Sequence, residues 1–208
     1  MPSLKSFSLL LASALLAGAA PPLNGRSETG SLKAASWPTF QQCEGRETVI
    51  AKAANDAQIL GKATKDYVAS LKGPTPRYTT WFGNFTLARH ATALNIYSTI
   101  HTNDYLGYTY ICDCDLPGLP EDVVAYVYPY QHGMVHLCPE FFRRNTTGKN
   151  TQAGSILHEA THFSDNGATE DWVSGTDNSL KLAIDDPDKA INNAANYKYF
   201  AENVPFLN

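Results

Sequence analysis

The stretch Ile156-Leu157-His158-Glu159-Ala160-Thr161-His162-Phe163 restricts this chain more than any other. If it is helical, side chains four positions apart lie one above the other, so His158 and His162 present two imidazoles on one face. Two imidazoles so placed grip a zinc ion, and Glu159 between them is a carboxylate able to take a proton from a water held at the metal. Ala153, Ile156, Leu157 and Ala160 recur at helical spacing and would bury the neighbouring side. Asn150 or Thr151 offers an N-cap, and Asn166-Gly167 a stop about one turn past His162.

A metal site of this kind needs a core to hold it, and 208 residues suffice for one. Residues 1–19 read as a secretory signal: Lys5 in a short basic start, an apolar run from Phe7 to Leu16, then the small residues Ala17-Gly18-Ala19. Residues 20–36, with Pro21, Pro22, Gly25 and Gly30, read as a leader or short propeptide, expected to be disordered or removed. Residues 37–208 are then one domain. No later apolar run reaches bilayer length, so a secreted, extracellular protein without a membrane partner is expected. The net charge of −4 becomes −5 once Lys5 is lost with the signal, which gives no basic footprint for nucleic acid. A monomer is expected.

Export agrees with the cysteines. Cys43, Cys112, Cys114 and Cys138 form an even set without a Cys-x-x-Cys knuckle, so two disulfides are expected. Four cysteines allow three pairings. On a strand, Cys112 and Cys114 would be roughly 6.6 Å apart with parallel side chains, so each should bond elsewhere. The sequons at Asn84 and Asn145 are glycosylation acceptors.

Periodicity predicts a helix from Glu44 to Leu71, with Val49, Ala53, Ala57, Leu60, Ala63, Tyr67 and Leu71 inward. Pro76 to Gly83 reads as an aromatic loop, followed by a helix over about 86–102 with Leu87, Ala91, Leu94 and Tyr97 inward. Tyr108–Cys112, Val123–Tyr128 and Met134–Cys138 are rich in β-branched and aromatic residues, as in a small antiparallel sheet. Gly133 puts His132 and His136 in a hairpin, where they read as packing or cleft residues. His90 and His101 read as structural. Two further helices follow over 179–184 and 188–200, the second with Asp186 as cap and Pro187 at its first position.

A catalytic zinc needs a third protein ligand. Asp165, Glu170, Asp171 and Asp177 are the downstream candidates. Asp165 lies too close to His162 to fold back, whereas Asp171 follows a Gly167-containing turn long enough to return to the metal.

At this point the pattern is specific. His158-Glu159-Ala160-Thr161-His162 followed by Gly167-Ala168-Thr169-Glu170-Asp171-Trp172-Val173-Ser174-Gly175 resembles the H-E-x-x-H plus G-T-x-D-x-x-Y-G pattern of the aspzincins, the deuterolysin family. Within it, the chain is most similar to secreted fungal peptidyl-Lys metalloendopeptidases. Segments at 76–83, 125–129, 152–154 and 196–203 extend the resemblance over roughly residues 40–205.

The resemblance implies an α+β, zincin-like fold, helical with a small antiparallel sheet over the active-site helix. It implies one zinc ion per chain on His158, His162 and Asp171, with Glu159 as general base and later proton donor. It also implies disulfides Cys43–Cys112 and Cys114–Cys138, and a polypeptide substrate whose peptide bonds are hydrolysed by attack of water. Two positions depart from the family. Its oxyanion-stabilising tyrosine is Ser174 here, and losing one such donor costs about 10²–10³ in turnover. Its acidic pair for a P1′ lysine falls on Ala195 and Lys198, so lysine specificity should be lost. An acidic or uncharged P1′ residue would suit Lys198 better, unless Lys198 swings into solvent or pairs with Glu202.

Two classes of function follow. One is a zinc metalloendopeptidase with altered specificity and reduced turnover. The other is a non-catalytic zinc-binding relative that holds a polypeptide or glycan partner in the inherited cleft; Ser174 favours it and the intact Glu159 opposes it. A purely structural zinc site fits least, because no fourth protein ligand suggests itself.

Overall fold

The computed structural model describes residues 36–208, so the signal and nearly all of the leader fall outside the described residues. Strand β1 (Thr39–Gln41) leads into helix α1 (Glu47–Ser70), α2 (Pro76–Phe82) and α3 (Leu87–Ile100). Strands β2 (Thr109–Ile111), β3 (Ala125–Tyr126) and β4 (Met134–Leu137) follow. Helices α4 (Gln152–His162), α5 (Thr176–Asp185), α6 (Pro187–Ala190) and α7 (Ala194–Glu202) complete the chain. Short 3₁₀ turns at Tyr105–Gly107 and Pro139–Arg143 flank the strands.

The α+β class holds, but the sheet is mixed rather than antiparallel. Its order is β1-β2-β4-β3, with β1 parallel to β2 and β2 parallel to β4; only β3 and β4 run antiparallel. Connection length explains this: three helices separate β1 from β2, enough chain for a crossover, whereas β3 and β4 are joined by a short turn. Two disulfides staple the sheet, Cys43–Cys112 at the ends of β1 and β2, and Cys114–Cys138 between the chain after β2 and the end of β4.

Pro76 to Phe82 is a helix, not a loop. Thr75 accepts a hydrogen bond from the Tyr78 amide and Pro76 occupies the first turn. Its aromatic residues are core: Tyr78, Trp81 and Phe82 are buried, and Trp81 stacks on Tyr199 of α7. The inward faces of α1 and α3 also differ from the expected ones. On α1 the expected Ala53 and Ala57, and Leu71 just past its end, are buried, but Ile50, Ala54, Gly61, Thr64 and Val68 join them and Val49 is exposed; on α3 the expected Tyr97 is buried with Ala93, Ile96 and Ile100, and Leu87 is exposed. In alanine-rich helices two neighbouring stripes carry similar apolar content, and packing chooses between them. On α1 the choice puts Gly61 beside Leu157 of α4, where a Cβ would stand 3.9 Å from Leu157 Cδ1, in ordinary van der Waals contact.

Helix α4 lies in the middle, packed on α1, α7 and the β3 edge of the sheet. Nine of its eleven residues are buried, so its register is fixed by packing on several sides.

Candidate metal centre and cleft

Thr151 caps α4, its hydroxyl accepting from the Gly154 amide. Glu202 of α7 reinforces that start, accepting from the amides of Asn150 and Thr151 and from the Thr151 hydroxyl. The carboxylate crosses the helix so closely that any Cβ at Gly154 would collide with it. The sequence offers Glu202 only as a partner for Lys198 and not for this role, although its approach gives a physical reason for glycine inside a helix.

At the other end the chain turns sharply. The amides of Asn166, Gly167 and Ala168 all donate to the Phe163 carbonyl, and the Thr169 amide returns to Thr161. The segment is then tied to the start of α7: the Glu170 amide donates to Asn192, the Ala194 amide to Glu170, and the Val173 amide to the Asn193 side chain. This explains why the helix expected over 188–200 is broken into α6 and α7, since the backbone at 192–194 pairs with Glu170. Asp171 is held in place from both sides.

His158 Nε2 and His162 Nε2 are 3.2 Å apart. Asp171 Oδ1 lies 3.2 Å from His158 Nε2, and its Oδ2 lies 3.3 Å from His162 Nε2. A tetrahedral zinc site with bonds of about 2.0–2.1 Å has ligand-to-ligand edges of about 3.3 Å, so these three residues fit the ion. His158, Glu159 and His162 form a second possible triad, with ligand atoms within 4.8 Å of one another. Glu159 Oε1 stands 3.9 Å from His158 Nε2, beyond a tetrahedral edge, whereas the Asp171 oxygens lie at 3.2 and 3.3 Å from the two rings.

The hydrogen bonding agrees. His162 Nδ1 lies 2.7 Å from the Thr169 carbonyl, so Nδ1 carries a proton and Nε2 is the ring nitrogen that faces the site, where a metal would displace its proton and take the lone pair. Two imidazole nitrogens and a carboxylate converge there, an arrangement that attracts positive charge. Burial opposes a charged His162, but Asp171 and Glu159 outweigh it and raise its pKa to about 9. Burial likewise opposes a charged Asp171, yet donation from the two histidines holds its carboxyl well below the usual range. Glu159 is 5 % exposed, and burial pushes its carboxyl upward against the pull of His158 and His162.

The remaining candidates are placed elsewhere. Asp165 pairs with His132 at 2.8 Å, and His136, stacked on Tyr126, sits 2.6 Å from Asp113. His90 and His101 bond backbone carbonyls. Asn84 and Asn145 are exposed.

A cleft of about 620 Å³ opens beside the histidines. Ser155, His158 and Glu159 line one wall, Asp171 to Thr176 another, and Ala195, Lys198 and Tyr199 of α7 a third. Ser174 is exposed at its edge. Lys198 neither swings into solvent nor pairs with Glu202, whose oxygens serve the start of α4; it is 8 % exposed. Arg144 and Tyr199 also line the cleft, and no spacing in the sequence points to either.

Residues 67–202 match the family described as Lysine-specific metallo-endopeptidase, the aspzincins. A peptidyl-Lys metalloendopeptidase of Grifola frondosa is 41% identical over 168 residues, covering 80% of this chain and 47% of that protein. One from Pleurotus ostreatus is 38% identical over 170 residues, 81% of this chain and 99% of its own length. The chain spans about half the length of the Grifola frondosa and Armillaria mellea relatives it matches. The solved structure of a zinc peptidase from Grifola frondosa superposes with a TM-score of 0.73 at 41% identity, covering 77% of this chain and 96% of that one. In sequence and in fold, the chain belongs to the aspzincin family.

Proposed function

We propose that the chain is a secreted zinc-dependent metalloendopeptidase with residues 37–208 as its catalytic domain, acting as a monomer on polypeptides. The observation that carries the reading is the 3.2–3.3 Å spacing of donor atoms on His158, His162 and Asp171, with the buried Glu159 carboxylate beside them. His158, His162 and Asp171 would hold one zinc ion. When bound, zinc supplies a Lewis acid that polarises a peptide carbonyl and makes water a nucleophile near neutral pH.

The protein's own residues do the rest. Glu159, shielded from bulk water, takes the proton of the attacking water and returns it to the leaving nitrogen. The Thr169 carbonyl fixes the tautomer and orientation of His162. Ser174 is too short to reach a developing oxyanion as a tyrosine would, so turnover is reduced. Ala195 and Lys198 remove the acidic wall that a lysine side chain would need. Export is supported by the two disulfides and by the likeness to a protein of Aeromonas hydrophila named an extracellular protease.

Digestion of an unfolded protein tests this reading. Cleavage should disappear with a chelator and return with one equivalent of zinc. Chelator-insensitive cleavage, or none by zinc-loaded protein, would overturn it. Ser174 favours a second reading, a zinc-binding relative that holds a polypeptide or glycan without cutting it. Ser174→Tyr separates the two, since only a competent enzyme gains activity from the restored hydroxyl.

A further inference from the structure

The cleft beside Glu159 is lined by two cations. Lys198 is 8 % exposed, yet among the described residues its ammonium has no carboxylate within 4.0 Å; its nearby partner is the Tyr199 ring at 5.2 Å. Arg144 lines the same cavity, with Glu140 Oε1 3.3 Å from its Nη2 and its Nε buried without a partner. Glu202, one helical turn from Lys198, is bound to three donors at Asn150 and Thr151. Glu140 is shared between Arg143 and Arg144. Of the other acids lining the cleft, Asp171 and Glu159 stand with the histidines and Asp122 is exposed.

A cation so deeply buried without a carboxylate in contact is costly, and burial accordingly lowers the Lys198 pKa, with Arg144 assisting and the more distant Glu202 and Glu159 opposing. An uncharged side chain entering here would leave that cost in place, and a lysine would add a third cation. A carboxylate would relieve it.

We infer that this pocket takes an aspartate or glutamate side chain at P1′, with Lys198 and Arg144 as the residues that select it. The assignment to P1′ rests on the endopeptidase reading above. The selection is electrostatic: a substrate carboxylate gains a charge-assisted contact that no neutral residue can make.

Four peptides identical except for Asp, Glu, Ala or Lys at P1′ test the inference through their kcat/KM with the wild-type protein. The acidic peptides should exceed the alanine peptide by about tenfold or more, with lysine lowest. Lys198→Met should level the series and Lys198→Glu should favour lysine. Equal rates, or a wild-type preference for alanine or lysine, would overturn the inference without any variant having to fold.

Calorimetry separates its failure from that of the endopeptidase reading, using N-acetyl-aspartate methylamide and its alanine counterpart with Glu159→Gln protein. Selective binding of the acidic ligand, with no peptide cleaved by the wild type, would overturn the endopeptidase reading and leave the acidic pocket standing. Cleavage without acidic preference would do the reverse. Neither cleavage nor selective binding would overturn both.

Discussion

The two ends of the cleft are built differently. At the histidine end every donor has its own tether: His158 and His162 ride on a helix buried on most sides, His162 is anchored to Thr169, and the Asp171 segment is tied to Asn192, Asn193 and Ala194. At the other end the backbone of α7 is equally fixed, with Asn196, Tyr197 and Phe200 buried in the same helix as Lys198, but the Lys198 ammonium has no carboxylate within 4.0 Å among the described residues. The comparison teaches that geometry and recognition are held by different bonds. Charge in the pocket can change without moving the proposed metal ligands.

The largest expected effect attacks the tethered end. His162→Ala should abolish zinc binding and all hydrolysis, read by metal analysis of dialysed protein and by peptide cleavage; retained stoichiometric zinc would break the assignment. Glu159→Gln should keep the metal and the fold while lowering turnover by about 10²–10⁴. An unchanged rate would remove Glu159 from the chemistry. Ser174→Tyr addresses the altered wall and should raise turnover by about 10²–10³. No gain would mean that the exposed loop at 172–175 cannot present a tyrosine, and would favour the binding reading.

The smallest effect links the two ends through their shared scaffold. Glu202→Ala removes three hydrogen bonds from the start of α4, and denaturant unfolding should show a loss of about 2–3 kcal/mol. The preference among P1′ residues should persist in that variant. A change in preference would show that Glu202 tunes Lys198 as well as supporting α4.

The sequence made the histidine helix legible because side chains four apart share a helical face whatever surrounds them. Asp171 was reachable by loop length, and the resemblance supplied its role. Other features depend on partners far along the chain. The parallel pairing of β1 with β2 unites residues about 70 positions apart, and no local pattern encodes that direction. The break before α7 arises from pairing between Glu170 and Asn193, so the run of residues from 188 to 200 reads as one helix until that bridge is known. Helix α2 is a different case: Thr75 and Pro76 carried an N-cap signal in the sequence that the density of aromatic residues masked. The fate of Lys198 could not be read from i, i+4 spacing, because Glu202 is committed to the start of another helix.

Mapping the cut sites in a denatured protein by mass spectrometry, with and without a chelator, tests the central claim most directly. An intact metal-and-base end with a charge-altered pocket predicts chelator-sensitive cuts that avoid lysine at P1′ and favour aspartate and glutamate. Cuts predominantly before lysine, or cuts that persist in chelator, would contradict it.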